Sequence, residues 1–196
     1  MNFVLAAGGT GGHMVPAHAL AAELKGRGHG VLLVTDERGA RFPGLFKRVP
    51  VHILPAGRLG GGPIAWIKGL AAVVKGRSEA KNLYREHRPD AVVGFGGYPA
   101  FPALLAASAM NLPTVLHEQN AVMGRVNRLL AGEAAAIGKA YDEVDGLEPK
   151  YKGKSVLIGN PVREEIARLA KCRSPPSTRS RRSRSWSPAA ARAQAC

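Results

Sequence analysis

Cysteine is missing from the first 171 residues of this 196-residue chain; the two it has are Cys172 and Cys196. A disulfide framework is thereby excluded for the body, and a reducing cytoplasm is the natural setting. Acids are also scarce, with 14 Asp and Glu against 28 Lys and Arg, for a formal charge of +14. Long apolar runs are lacking: no stretch reaches the ~18 uninterrupted apolar residues of a membrane span. The first apolar segment begins at residue 2, which leaves no room for a signal peptide.

What is present suits an α/β protein rather than a disordered one: 45% hydrophobic residues and 24 glycines. The length allows one well-cored domain and a tail. A large positive charge suggests nucleic acid or an anionic membrane, but its distribution weakens that inference. The last 24 residues carry +6 through Arg173, Arg179, Arg181, Arg182, Arg184 and Arg192, leaving +8 on the first 172. No nucleic-acid partner is expected.

Buried-strand and helix signals alternate along the body. Apolar runs at 2–7, 30–35, 51–55, 90–95, 113–117, 134–137 and 155–158 read as strands. Between them, Ala17, Leu20, Ala21 and Leu24 share a helical face, with Pro16 suited to a first turn and Gly26 to a stop. A long helix is expected over 63–87, though Gly69 and Gly76 count against its continuity. This alternation predicts a Rossmann-like doubly wound parallel sheet, with ligands at the carboxyl ends of the strands.

Those ends carry the chemistry-bearing residues. AAGGTGGH (6–13) is a glycine-rich strand-to-helix turn, where unpaired helix N–H groups attract anions. It fits neither nucleotide fingerprint: G-x-G-x-x-G from Gly9 would need glycine where Met14 stands, and a P-loop from Gly8 would need Gly-Lys where His13-Met14 stands. A second such turn is Gly94-Phe95-Gly96-Gly97-Tyr98. His117-Glu118-Gln119-Asn120 and Gly159-Asn160-Pro161-Val162-Arg163 complete the rim. Singly, each has a structural reading: His117 as a core histidine, Asn160 as a helix cap. Together they favour a site for a polar substrate. No metal is expected, because His117-Glu118 is not followed by the second histidine of H-E-x-x-H and Asp142-Glu143-Val144-Asp145 reads as a turn.

In this order and spacing, GGTGGH, GFGGYPAFPA, HEQNAVMGRVNRLLA and GNPVREEI resemble the N-terminal half of the MurG family of bacterial glycosyltransferases. The resemblance runs from about residue 2 to 170. It implies the GT-B arrangement of two Rossmann-like domains facing across a cleft, with residues 1–170 forming the acceptor-binding domain. The implied reaction moves N-acetylglucosamine from UDP-N-acetylglucosamine to the C4 hydroxyl of lipid I, with inversion, giving lipid II for peptidoglycan. Carried over by motif, Thr10, Gly11, Gly12, Asn120 and Arg163 meet the sugar nucleotide. Gly9, Gly96, Gly97 and Tyr98, in the two glycine-rich turns, seat the acceptor diphosphate. His13 and Glu118 are rival general bases, and no cofactor is implied. The apolar and basic mixture of 58–77, with Arg58, Ile64, Trp66, Ile67, Lys68, Leu70, Lys75 and Arg77, becomes an attachment to an anionic membrane surface. The location implied is the cytoplasmic face of the inner membrane.

From residue 171 the resemblance ends. Arg, Ser, Pro and Ala account for 20 of the 25 residues from Cys172 to Cys196, too few apolar groups to fold. Residues 171–196 are therefore expected to be a disordered tail. The abrupt change of composition favours out-of-frame translation over a nucleic-acid-binding arm. Without a donor domain, the chain is expected to be inert alone. The competing reading is a non-catalytic module that binds anionic membrane or nucleic acid through its basic surface and tail.

Overall fold

The computed structural model describes residues 1–42, 46–57, 62–163 and 166–168. Arg58, both cysteines and the tail from 171 lie outside the described residues. The apolar runs form one parallel sheet: β1 (Asn2–Ala6), β2 (Gly30–Thr35), β3 (Val51–Ile53), β4 (Ala91–Gly94), β5 (Thr114–Glu118), β6 (Ala136–Lys139) and β7 (Ser155–Leu157). Its order is β3-β2-β1-β4-β5-β6-β7, and each neighbouring pair is parallel. This is the doubly wound sheet expected from the sequence.

The two-residue period of the strands sorts the core into two layers. Val4, Ala6, Leu32 and Val34 face one layer; Leu5, Ala7, Leu33 and Phe95 face the other. Helix α1 (Gly11–Gly26) covers the second layer through Met14, Ala17 and Ala21. A single turn, α2 (Glu37–Ala40), follows β2, its start capped by Asp36, whose carboxylate accepts the Gly39 N–H at 2.8 Å. The helices α3 (Pro63–His87), α4 (Phe101–Ala109) and α5 (Arg125–Leu130) cover the first layer through Ala80, Leu83, Tyr84, Leu104, Val126 and Leu130. Each Leu or Val fully withdrawn from water there contributes about 1.5–3 kcal/mol.

Two local expectations change. Helix α1 starts at Gly11, not near Pro16. Thr10 is extended, and its carbonyl accepts both the His13 and the Met14 N–H at 3.1 Å, so the helix is under way before the proline. Pro16 then stands inside the helix without the N–H that the Gly12 carbonyl would accept. Helix α3, by contrast, runs unbroken through its glycines. A Cβ at Gly76 would collide with the Pro55 carbonyl, so this glycine admits a neighbouring backbone.

The strand order reverses between β1 and β4, and an open parallel sheet has its ligand crevice at such a reversal. At the far edge no other described strand pairs with β7, and Val156 and Leu157 are both exposed although they point to opposite faces.

Candidate active site

The glycine-rich turns leave β1 and β4 side by side and interlock. Gly97 has a φ of +81°, and a Cβ on it would stand 3.0 Å from the Gly8 carbonyl oxygen. A side chain there would be strained by its backbone and crowded by its neighbour. A Cβ on Gly8 would in turn lie 2.6 Å from the Pro99 ring. Bare backbone is what lets the two turns share one wall.

His13 lies over that wall on the first turn of α1. Its imidazole carbons and Nδ1 are 3.6 Å from the places where Cβ atoms of Gly96 and Gly97 would be. Nδ1 is 2.9 Å from the Thr10 hydroxyl. Burial lowers the basicity of the ring below the usual histidine value, and the nearby Glu118 carboxylate only partly offsets this. At neutral pH the ring is therefore uncharged and able to accept a proton. It lines a cleft of about 390 Å³ together with Gly9, Thr10, Gly97, Tyr98, Arg38 and Arg125.

Glu118, at the end of β5, has a different environment. It is only 1% exposed, and both oxygens are engaged. Oε1 accepts the backbone N–H of Asn120 at 3.1 Å and its amide at 3.0 Å. Oε2 accepts the Gly124 N–H at 2.8 Å and the Asn127 amide at 2.9 Å. Four donors converging on one carboxylate fix the loop from β5 to α5. The HEQN stretch is thus a loop organised by a buried anion.

His117 is buried against Phe95, with ring centroids 5.5 Å apart and Nε2 3.3 Å from the Gly159 carbonyl oxygen. Burial lowers its basicity, against the opposing pull of Gly159, Gln119 and Glu118. This matches the core-histidine reading. Asn160 is no helix cap, because Pro161–Arg163 is not helical.

The structure thus brings Gly9, Thr10, His13, Gly97 and Tyr98 into one cleft, with Gly96 beneath the His13 ring. Half-buried Gly11 and exposed Gly12 form the start of α1 beside it. Asn120 and the exposed Arg163 stand on the same rim but beyond β5 and β7, outside the lining of this cleft. The two charged lining residues were not singled out from the sequence. Arg125 sits inside a quoted motif, and Arg38 follows β2 in a stretch that carried no signal of its own.

The N-terminal part of α3 presents Ile64, Trp66, Ile67 and Leu70 outward, at 71%, 53%, 70% and 58% exposure. Lys68, Lys75 and Arg77 are exposed around them. The helix packs on the sheet through its later residues, from Val73 onward. None of the described helices is long and apolar enough to cross a membrane.

A parallel sheet with an uncharged histidine and two glycine-rich turns at its switch point agrees with the sequence match. Residues 3–139 match the glycosyltransferase family 28 N-terminal domain, and the chain belongs to that family. The chain is 57% identical over 177 residues to the UDP-N-acetylglucosamine--N-acetylmuramyl-(pentapeptide) pyrophosphoryl-undecaprenol N-acetylglucosamine transferase of Erythrobacter litoralis, covering 90% of this chain and 44% of that protein. The protein of the same description from Novosphingobium aromaticivorans is 60% identical over 168 residues, covering 86% and 43%. The crystal structure of Acinetobacter baumannii MurG superimposes with a TM-score of 0.67 at 30% identity, over 88% of this chain and 49% of that one. The chain therefore spans less than half the length of these relatives.

Proposed function

We propose that this chain is the acceptor-binding half of an inverting glycosyltransferase that moves N-acetylglucosamine from UDP-N-acetylglucosamine to lipid I, forming lipid II. The observation that carries this reading is His13, an uncharged imidazole beside two glycine-rich turns at the sheet's switch point. With the Nδ1 proton donated to the Thr10 hydroxyl, Nε2 keeps its lone pair for the acceptor C4 hydroxyl. The hydroxyl oxygen bonds to the anomeric carbon as that carbon's bond to the UDP β-phosphate oxygen breaks. The proton passes to Nε2, and UDP leaves with the electron pair.

In this reading the acceptor diphosphate lies along Gly9, Gly96, Gly97 and Tyr98, where the N–H groups at the start of α1 favour negative charge. Thr10, Gly11, Gly12, Asn120 and Arg163 border the side on which the sugar nucleotide arrives. Glu118 positions Asn120 rather than taking the proton, since its lone pairs already accept four hydrogen bonds. The apolar tip of α3 with its basic rim attaches the domain to the anionic cytoplasmic face of the inner membrane as a peripheral protein.

The chain matches only 44% of the Erythrobacter litoralis relative, so the test joins residues 1–168 to the rest of that protein. In that chimera His13→Ala lowers kcat at least ~100-fold with little change in acceptor affinity. A variant that retains kcat within about tenfold overturns the assignment of His13 as base.

A further inference from the structure

The cleft holds two cations that neither the base nor the glycine turns account for. Arg38 follows β2 and Arg125 opens α5 after β5, so in the order β2-β1-β4-β5 the two flank the paired glycine turns. Three strand spacings separate β2 from β5, about 14 Å at the sheet, a gap that two long guanidinium side chains can narrow. Among the described residues lining this cleft there is no carboxylate.

Each arginine is oriented without being consumed. Arg38 donates Nε to Asp36 Oδ2 at 3.1 Å, while Asp36 Oδ1 caps α2. One Arg38 terminal nitrogen stands 3.6 Å from where a Cβ on Gly9 would be. Gly9 has a φ of +86°, so a side chain is disfavoured there and the space before the guanidinium stays open. Arg125 reaches the Tyr98 hydroxyl at 3.4 Å, a long contact to a neutral group that leaves its charge intact.

We infer that Arg38 and Arg125 form a two-armed clamp that closes on the diphosphate of the acceptor from opposite sides of the glycine turns. This rests on the acceptor-binding reading above. A diphosphate offers several anionic oxygens in a small volume, and a guanidinium pairs with phosphate oxygens through parallel N–H bonds. Backbone N–H groups of the glycine turns supply partial charge between the arms, whereas Arg125 supplies a full charge and Arg38 one partly offset by its ion pair with Asp36.

The test is titration of the 196-residue chain with inorganic pyrophosphate and, separately, with UDP-N-acetylglucosamine. Arg38→Gln and Arg125→Gln are each expected to weaken pyrophosphate about tenfold or more. The lysine variants recover only part of the loss, because a point charge cannot pair in two places. Lys25→Gln, which removes a cation remote from the cleft, is expected to change nothing. Thermal melting of each variant confirms that the domain is intact, as both arginines are largely exposed.

Absence of pyrophosphate binding in the unmodified chain overturns the clamp, as does unchanged binding in both arginine variants. A loss in Lys25→Gln equal to that in Arg125→Gln would mean diffuse attraction to a basic protein, and also overturns it. Equal weakening of UDP-N-acetylglucosamine and pyrophosphate would assign the arms to the donor and overturn the acceptor assignment. In the chimera, Arg125→Gln raises the acceptor KM and leaves the donor KM in place. Because pyrophosphate binding does not depend on turnover, the clamp and the base assignment of His13 fail or survive separately.

Discussion

Glu118 Oε2 accepts the side-chain amide of Asn127 at 2.9 Å, joining the end of β5 to the buried face of α5. Glu118→Gln would put an N–H group among the four donors that now meet a carboxylate. The variant is expected to lose about 2–3 kcal/mol of stability. For a domain of this size that lowers the melting temperature by roughly 5–10 °C. A melting temperature equal to that of the parent would refute the view of Glu118 as the anion that organises the loop.

The glycines of the two turns divide into those the fold needs and those it does not. Among the described residues a Cβ at Gly12 would meet only the Thr10 hydroxyl, at 3.8 Å, so Gly12→Ala should fold normally. Its cost should appear in acceptor binding, because Gly12 belongs to the start of α1, whose N–H groups favour the diphosphate in the reading proposed above. Gly97→Ala combines a positive φ with the close Gly8 carbonyl and is expected to lose about 1–3 kcal/mol of stability. Melting curves and acceptor titrations on both variants check the contrast. Normal acceptor affinity in a stable Gly12→Ala protein would end the phosphate-seat reading for that turn.

The lowered basicity of His13 fixes the sign of a pH dependence. A base acts when unprotonated, so kcat/KM of the chimera should be level at neutral pH and fall on acidification. The inflection is expected below 6.5, the ordinary histidine value, and should vanish in His13→Ala. Stability follows the same direction. Above 6.5 neither the folded nor the unfolded chain protonates His13 or His117, and their full contribution is present. As the pH falls through the lowered folded-state values, the unfolded chain has already bound its protons and the fold loses stability. Denaturant midpoints across this range test the second statement, and a midpoint that rises on acidification would contradict it.

The outward face of α3 predicts attachment to anionic vesicles. Ile67→Glu combined with Trp66→Glu should reduce cosedimentation roughly tenfold or more while leaving the fold intact, because both side chains are exposed. An unchanged partition would remove this helix from the membrane-binding surface.

Much of the fold was legible because buried parallel strands leave a plain trace: 31–34 is an apolar run between Gly30 and Thr35-Asp36, and 91–93 one between Asp90 and Gly94. Boundaries were less legible. Pro16 reads as a first-turn residue on propensity alone, yet the helix starts five residues earlier, where the Thr10 carbonyl accepts the His13 and Met14 N–H groups. Gly76 reads as a break in α3 when its reason is the Pro55 backbone, a contact distant in sequence. The histidine and the glycine turns announce themselves by residue type and spacing. Arg38 does not, because its place in the cleft comes from β2 lying next to β1, which a linear reading of TDERGA cannot supply.

The outer edge of β7, unpaired among the described residues, has a consequence for handling the protein. Val156, Leu157 and Ile158 are all more than half exposed on a strand whose outer edge no other described strand pairs, an invitation to pair with another chain. Such pairing is second order in protein, so the useful lifetime of a purified sample is governed by how concentrated it is rather than by how strongly each molecule is folded.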